Sequence, residues 1–178
     1  MSKIAVLSKE ISELIAAGEV IERPASVVKE VVENAIDAEA KHITVEIKHG
    51  GTTYMRVADD GSGIASEDVP TAFFRHATSK IHERKDLESI YTLGFRGEAL
   101  ASIAAVSKVT LLTKRREDDY GTHYEMIGGT PTGEPEQGGC PDGTTILIRD
   151  LFFNVPVRQR FMKKDVTEAN AVSQIVQK

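Results

Sequence analysis

Glu30, Asn34 and Asp37 recur at intervals of four and three residues, which in a helix stacks them on one polar face. Glu30 and Asn34 bring a carboxylate and an amide oxygen one turn apart. Such donors hold a hard cation like Mg²⁺ when substrate phosphates complete its shell. The other reading of that face is plain solvation. Lys29 lies four residues behind Glu33 and Lys41 four beyond Asp37, whereas Glu30 has no basic residue one turn away. Asp59 is a second candidate. It ends a run in which Met55 and Val57 alternate onto the inner face, so its carboxylate turns inward as well. A buried carboxylate needs a donor or a charged partner. It either caps its own turn, Asp59-Asp60-Gly61-Ser62-Gly63, or receives a donor from a ligand. Thr144 is a hydroxyl at a matching strand end, inward by the parity of Ile146 and Ile148. Gly94-Phe95-Arg96-Gly97 precedes an apolar helix. Two glycines spaced by three let backbone N–H groups approach a phosphate beside the positive end of a helix dipole. Gly94 can equally cap the preceding segment. The spacing matches neither the P-loop nor the dinucleotide fingerprint.

The elements that must position these groups follow from periodicity. Ser8 caps a short helix over 8–17, with Ile11, Leu14 and Ile15 on one side, broken at Ala16-Ala17-Gly18. Pro24 opens the helix over 24–38, where Val27, Val31 and Ala35 form one apolar row and Val28, Val32 and Ile36 the next. So many β-branched residues lose rotamer freedom in a helix, so packing must hold it. Ile43, Val45 and Ile47 alternate with polar residues as a half-buried strand, and Gly50-Gly51 turns into a second strand at 52–58, forming a hairpin. A helix is expected from Ser66-Glu67-Asp68 with Pro70 in its first turn, a short one at 86–91, and an apolar one from Glu98 to Val106. Strands follow at 108–114, 121–127 and 144–150. Residues 128–143 hold six Gly and three Pro, the composition of a surface loop. From Asn154 the chain turns basic, and a helix begins near Thr167.

The 178 residues, 40% hydrophobic and 28% charged, describe one globular domain with room for a core. A net charge of −5 excludes a general polyanion binder and leaves room for local basic patches. Cys140 alone permits no disulfide framework, which fits a reducing compartment. No run has membrane-spanning length and the N-terminus has no signal core, so a cytoplasmic protein without membrane association is expected.

Taken in order, Glu30 with Asn34, Asp59-x-Gly61-x-Gly63, Gly94 with Gly97, and Gly143-Thr144 form a four-part series. It resembles the nucleotide-binding fold shared by DNA gyrase B subunits, Hsp90 chaperones, histidine kinases and MutL proteins, the GHKL or Bergerat ATPases. Longer strings narrow the resemblance to the MutL family of mismatch repair. They are Gly18 to Glu30, Arg75-His76-Ala77-Thr78-Ser79-Lys80-Ile81, Gly94 to Ile103, and Asp150 to Arg158. The resemblance spans nearly the whole chain. Asp60 departs from the Asn frequent there; it lies outward by parity, and little effect on nucleotide contact is expected.

The resemblance implies an α/β (α+β) two-layer sandwich, a mixed, largely antiparallel sheet with helices on one face. Residues 1–178 would be the N-terminal ATPase domain, ending inside a helix, before a transducer-like second domain and a C-terminal dimerisation domain. Asp59 would accept a hydrogen bond from the adenine amino group of ATP, with water held near Gly63 and Thr144. Asn34 would bind Mg²⁺. Thr78, Ser79 and Lys80, with Gly94, Arg96, Gly97, Glu98, Ala99 and Leu100, would wrap the phosphates. Glu30 would be the general base for the attacking water. In the family, ATP drives two ATPase domains into a clamp on DNA, downstream of the mismatch-recognition protein MutS. Lys114-Arg115-Arg116 and the run Arg158, Arg160, Lys163 and Lys164 would make weak DNA contacts, or are solvated surface. The expected function is thus a Mg-dependent ATPase of bacterial mismatch repair. Turnover should be weak in this chain, since the family's second domain supplies a γ-phosphate lysine. The alternative is a nucleotide-gated dimerisation and DNA-binding module with negligible turnover. The strings weigh against a topoisomerase or chaperone ATPase.

Overall fold

α1 (Lys9–Val20) starts where expected, with Ser8 Oγ accepting from the Ile11 N–H at 3.3 Å. It runs through Gly18 instead of stopping there. A Cβ at Gly18 would collide with the Arg158 guanidinium, so this glycine makes room for a distant side chain and does not break the helix. Ile11 and Ile15 remain exposed, so the stripe that they form with Leu14 is only partly turned inward. The computed structural model describes residues 6, 8–75, 77 and 97–177, without the side chains of residues 9, 10 and 13.

α2 (Pro24–Asp37) has Pro24 at its first position and buries Val27, Val28, Val31 and Ala35. Each buried valine contributes roughly 1.5–3 kcal/mol. Its helix-propensity cost is at most ~0.7 kcal/mol, so packing wins. Val32 packs at the core edge, but Ile36, placed in the same row by its spacing, is exposed. The helix ends through Glu39 in the left-handed region (φ 60°), with the Ala40 N–H reaching the Ala35 carbonyl at 3.1 Å. Glycine usually fills that position.

β1 (Ile43–Lys48) and β2 (Tyr54–Asp59) form the expected antiparallel hairpin, in register from Ile43 opposite Asp59 to Lys48 opposite Tyr54. The helix expected from Ser66 is instead two separate 3-10 turns, Ser66–Asp68 and Thr71–Phe73. Pro70 stands between them and has no N–H with which to continue a helical ladder. α3 (Ala99–Ala105), β3 (Lys108–Lys114) and β4 (Gly121–Ile127) match their expected positions closely. The loop over 128–143 folds back on β4 as two short strands, β5 (Thr130–Pro131) and β6 (Glu136–Gly138). Short strands of this kind blunt what would otherwise be an open sheet edge. β7 (Gly143–Arg149) follows. Then comes α4 (Pro156–Phe161), too short to leave a periodic signal, and α5 (Asp165–Val176).

The sheet runs β1-β2-β7-β3-β4-β5, with β6 also on β4. Every pairing among the described residues is antiparallel, so the expected mixed sheet shows no parallel member there. One sheet face carries Met55, Val57, Ile146, Ile148, Val109, Leu111, Tyr124 and Met126 in facing rows. The valines of α2 close over that face with Ile103 of α3 and Val172 of α5.

Candidate functional site

One rung beyond this apolar ladder the inner face becomes polar. Asp59 stands opposite Thr144, and Thr144 opposite Thr113. Strand parity puts all three on the core side, as Met55 and Val57 dictate for Asp59. Asp59 Oδ1 accepts from the Gly61 N–H at 2.9 Å and from the Thr144 N–H at 3.3 Å. Asp59 therefore does cap its own turn. Both bonds fall on one oxygen, and among the described residues Oδ2 meets no protein donor. Burial raises the Asp59 pKa; the Gly61 and Thr144 amides oppose that rise, and the Asp60 charge adds to it.

Thr113 was not singled out by sequence, although the parity that placed Thr144 inward also applies along Val109, Leu111 and Thr113. It is the buried hub of the rung. Its hydroxyl lies 3.1 Å from the Gly143 carbonyl, accepts from the Ile64 N–H at 2.9 Å, and sits 2.9 Å from Thr144 Oγ1. A hydroxyl has one hydrogen, and Thr113 donates it to Gly143. Thr144 must then donate to Thr113. Its free lone pairs accept from whatever lies beyond.

Two glycines in the left-handed region permit this geometry. Gly143 (φ 98°) presses against the Asp59 carbonyl, and Gly63 (φ 69°) against the carbonyl of Lys114. Gly143→Ala should lower stability by about 1–3 kcal/mol, the cost of a strained residue, measured by urea unfolding. An unchanged unfolding midpoint would contradict the close approach. Asp60 points away from the rung, as its parity requires. It accepts from the Lys41 and His42 amides at 2.6 and 2.8 Å and meets His42 Nδ1 at 2.7 Å. These partners hold its carboxyl far below the usual range. The stability Asp60 contributes is therefore present above pH ~4, the unfolded value, and is lost as the pH falls further.

The Asp59 turn leans on the end of α2. Ser62 N–H donates to the Ala38 carbonyl at 2.9 Å, and a Cβ at Gly61 would strike Ala38. Asn34 lies one turn before Ala38, whose N–H returns to the Asn34 carbonyl at 3.0 Å. Glu30 lies one turn earlier, and both side chains are half-buried. Glu30 does have a neighbouring cation, contrary to its helical spacing. Lys29 reaches Glu33 at 3.0 Å and Glu30 at 3.6 Å. Lys29 is about half exposed, and surface pairs of this kind are worth ~0–1 kcal/mol, so Glu30 is not consumed by it. Among the described residues no three His, Cys, Asp or Glu side chains gather as a metal cage. A soft metal would not suit this donor set. Mg²⁺ suits it, since it takes few protein oxygens and completes its shell with phosphate and water.

Gly97 (φ 60°) packs against the backbone of Ala77, and Glu98, Ala99 and Leu100 begin α3 half-buried. Thr78, Ser79, Lys80, Gly94 and Arg96 lie outside the described residues, as does the helix expected at 86–91. The basic run divides. Arg158 donates to the Ile21 carbonyl at 3.1 Å and lies 5.8 Å from the centre of the Phe152 ring, which commits it to packing. Arg160, Lys163 and Lys164 are exposed. Lys114 pairs with Asp142 and Arg115 with Asp118, leaving Arg116 as the exposed cation of that segment. A groove of ≈ 570 Å³ bordered by Thr53, Asp150, Phe153, Lys163 and Asp165 lies at the opposite end of β2 and includes none of Glu30, Asn34, Asp59, Thr113 and Thr144. No helix among the described residues is long and apolar enough to cross a membrane.

Comparison with known proteins matches residues 21–127 to the family described as histidine kinase-, DNA gyrase B- and HSP90-like ATPase. The DNA mismatch repair protein MutL of Agathobacter rectalis is 52% identical over 178 residues, all of this chain and 27% of its own length. MutL of Caldanaerobacter subterraneus is 53% identical over 99% of the chain and 30% of its length. The chain thus spans under a third of these relatives. The Aquifex aeolicus MutL ATPase domain complexed with ADP superposes with a TM-score of 0.70 at 37% identity, covering 89% of this chain and 55% of that one. The N-terminal domain of a DNA repair protein superposes at 0.76 with 30% identity, covering 93% of this chain and 47% of that one.

Proposed function

Because the chain belongs to the family of histidine kinase-, DNA gyrase B- and HSP90-like ATPases, we propose that it binds Mg-ATP beside Asp59 and hydrolyses it with Glu30 as general base. The observation that carries this reading is the Asp59 carboxylate. Backbone amides fix Oδ1, while Oδ2 remains an acceptor for the adenine amino group. Thr144 offers lone pairs to a water bridging to the ring, with Gly63 close by. Asn34 Oδ1 would hold Mg²⁺, which offsets phosphate charge and orders the triphosphate. Glu30 takes the proton of the attacking water, and its place on the same helix as Asn34 fixes the spacing of base and metal ligand. Gly97, Glu98, Ala99 and Leu100 approach the phosphates, together with Thr78, Ser79, Lys80, Gly94 and Arg96, whose part in the proposal rests on the resemblance alone.

The test is calorimetric titration of ADP against GDP. ADP should bind at least about tenfold more tightly, because guanine turns a carbonyl toward Oδ2 and an unmatched buried polar pair costs roughly 1–3 kcal/mol. Equal affinities would overturn the adenine assignment.

In the cell the chain would serve bacterial mismatch repair in the cytoplasm, dimerising with ATP and acting with MutS, a reading supported by the MutL relatives. DNA contact falls to Arg160, Lys163 and Lys164, with Arg158 withdrawn to its packing role. Against a net charge of −5, that binding should be weak and salt-sensitive. Reversing Arg160 and Lys163 to Glu should reduce the salt slope by about one for each phosphate no longer neutralised, with ADP affinity unchanged. Affinity that stays flat between low and moderate salt would rule out phosphate contacts.

A further inference from the structure

Glu168, on α5, is a buried carboxylate that the hydrolytic mechanism does not use. Its Oε2 accepts from both Nε and Nη2 of Arg23 at 3.0 and 2.9 Å, and its Oε1 accepts from the Lys163 N–H at 3.0 Å. Arg23 is the residue on which α2 begins, and no side chain caps that helix start. Two residues earlier, the Ile21 carbonyl at the end of α1 receives Arg158, whose guanidinium fills the notch left by Gly18. The short link from α1 to α2 is thus gripped at both ends by arginine contacts to α4 and α5. A Cβ at Gly50, in the turn between β1 and β2, would strike the Asp165 carbonyl and Glu168 Cβ, so α5 is seated against the sheet as well.

We propose that Arg23 and Glu168, aided by Arg158, are positioning residues that set where α2 sits and so where Glu30 sits two turns further on. The inference rests on the ATPase reading above. A buried charge held by a bidentate partner has a narrow geometric optimum. Replacing Arg23 leaves Glu168 uncompensated in the interior, and replacing Glu168 leaves Arg23, about one-third exposed, without its anion. The contact spans 145 residues of chain, so it acts only once the domain has folded. Displacement of a catalytic group by an ångström is enough to slow a reaction strongly. Asp59 is on β2, and its turn meets α2 at Ala38, about four turns from Arg23, so adenine binding serves as an internal reference.

Glu168→Gln keeps the volume and the bond from Lys163 while removing the charge. It should lower ATP turnover by about tenfold or more, the scale of a misplaced base. Amide hydrogen exchange over residues 26–34 should quicken, while β2 and β7 amides are unchanged and the affinity for ADP without Mg²⁺ is retained. Arg23→Lys keeps the charge, gives up the fork, and should shift the same readouts less. Met126→Ala on β4 supplies a destabilised control outside the clamp. Exchange that rises everywhere alike, or turnover that falls equally in the Met126→Ala control, reduces the clamp to ordinary stability and overturns the proposal. Selective exchange with unchanged turnover overturns it too. Absent turnover in the parent protein, with ADP still bound, would instead bring down the hydrolytic reading on which the clamp depends.

Discussion

Glu30→Ala is expected to cut ATP turnover by about 10²–10⁴-fold, the usual cost of losing a general base. Nucleotide affinity should stay within about twofold, because a group that works only in the transition state leaves ground-state binding untouched. The structure sharpens this contrast. Glu30 is half-buried on α2, its cationic neighbour among the described residues is the exposed Lys29, and Lys29 keeps Glu33 as a partner when Glu30 is removed. The substitution also favours helix propensity, so fold stability should not fall. Phosphate release under single-turnover conditions, beside ADP calorimetry on the same preparation, separates the two quantities. Retention of more than about a tenth of the parent rate would remove Glu30 from the role of base.

Asp59→Asn should weaken adenine nucleotides by roughly 1–3 kcal/mol, since the amide nitrogen would meet the adenine amino group donor to donor. The bare triphosphate should lose little. The same change should stabilise the empty fold at neutral pH. Burial raises the Asp59 pKa, so the folded state holds its proton longer than the unfolded state as the pH rises. Stability therefore drops from about pH 4, the unfolded value, through the raised folded value, and stays lower above it. Asparagine removes that loss, because its oxygen can still accept from Gly61 and Thr144 without a charge to desolvate. A variant more stable and worse at binding adenine is the pattern of a site that trades stability for recognition. Thermal midpoints at pH 4 and pH 7 check the sign: the gain should grow with pH. Equal losses for ADP and triphosphate would assign Asp59 to its turn alone.

Much of this site was legible in the chain. The side chains of Glu30 and Asn34 share a helix face because 3.6 residues make a turn. Asp59 and Thr144 face inward because strand side chains alternate, and their hydrophobic neighbours show which face is inside. These are local repeats, and local repeats are a property of sequence. The hairpin, Ser8 as a cap and Pro24 at the first turn followed from the same short-range rules.

What the tertiary structure decided lies between residues far apart in the chain. Periodicity does not say which strand pairs with which, so it could not place Thr113 beside Thr144 or direct both amide bonds to one oxygen of Asp59. Gly18 read as a helix breaker because glycine usually is one; only the approach of Arg158 shows that it is a notch. Arg158 read as a DNA contact because charge normally seeks solvent, until packing supplied the Ile21 carbonyl and the Phe152 ring. Ile36 fell in an apolar row, yet it is left about half exposed. Glu168 carried no signal at all, since a buried carboxylate is tolerated only where a partner meets it, and Arg23 arrives there from 145 residues away in the chain. Sequence determined which side chains share a face, by local geometry; folding decided what each face meets, because long-range contacts form only where the whole core closes.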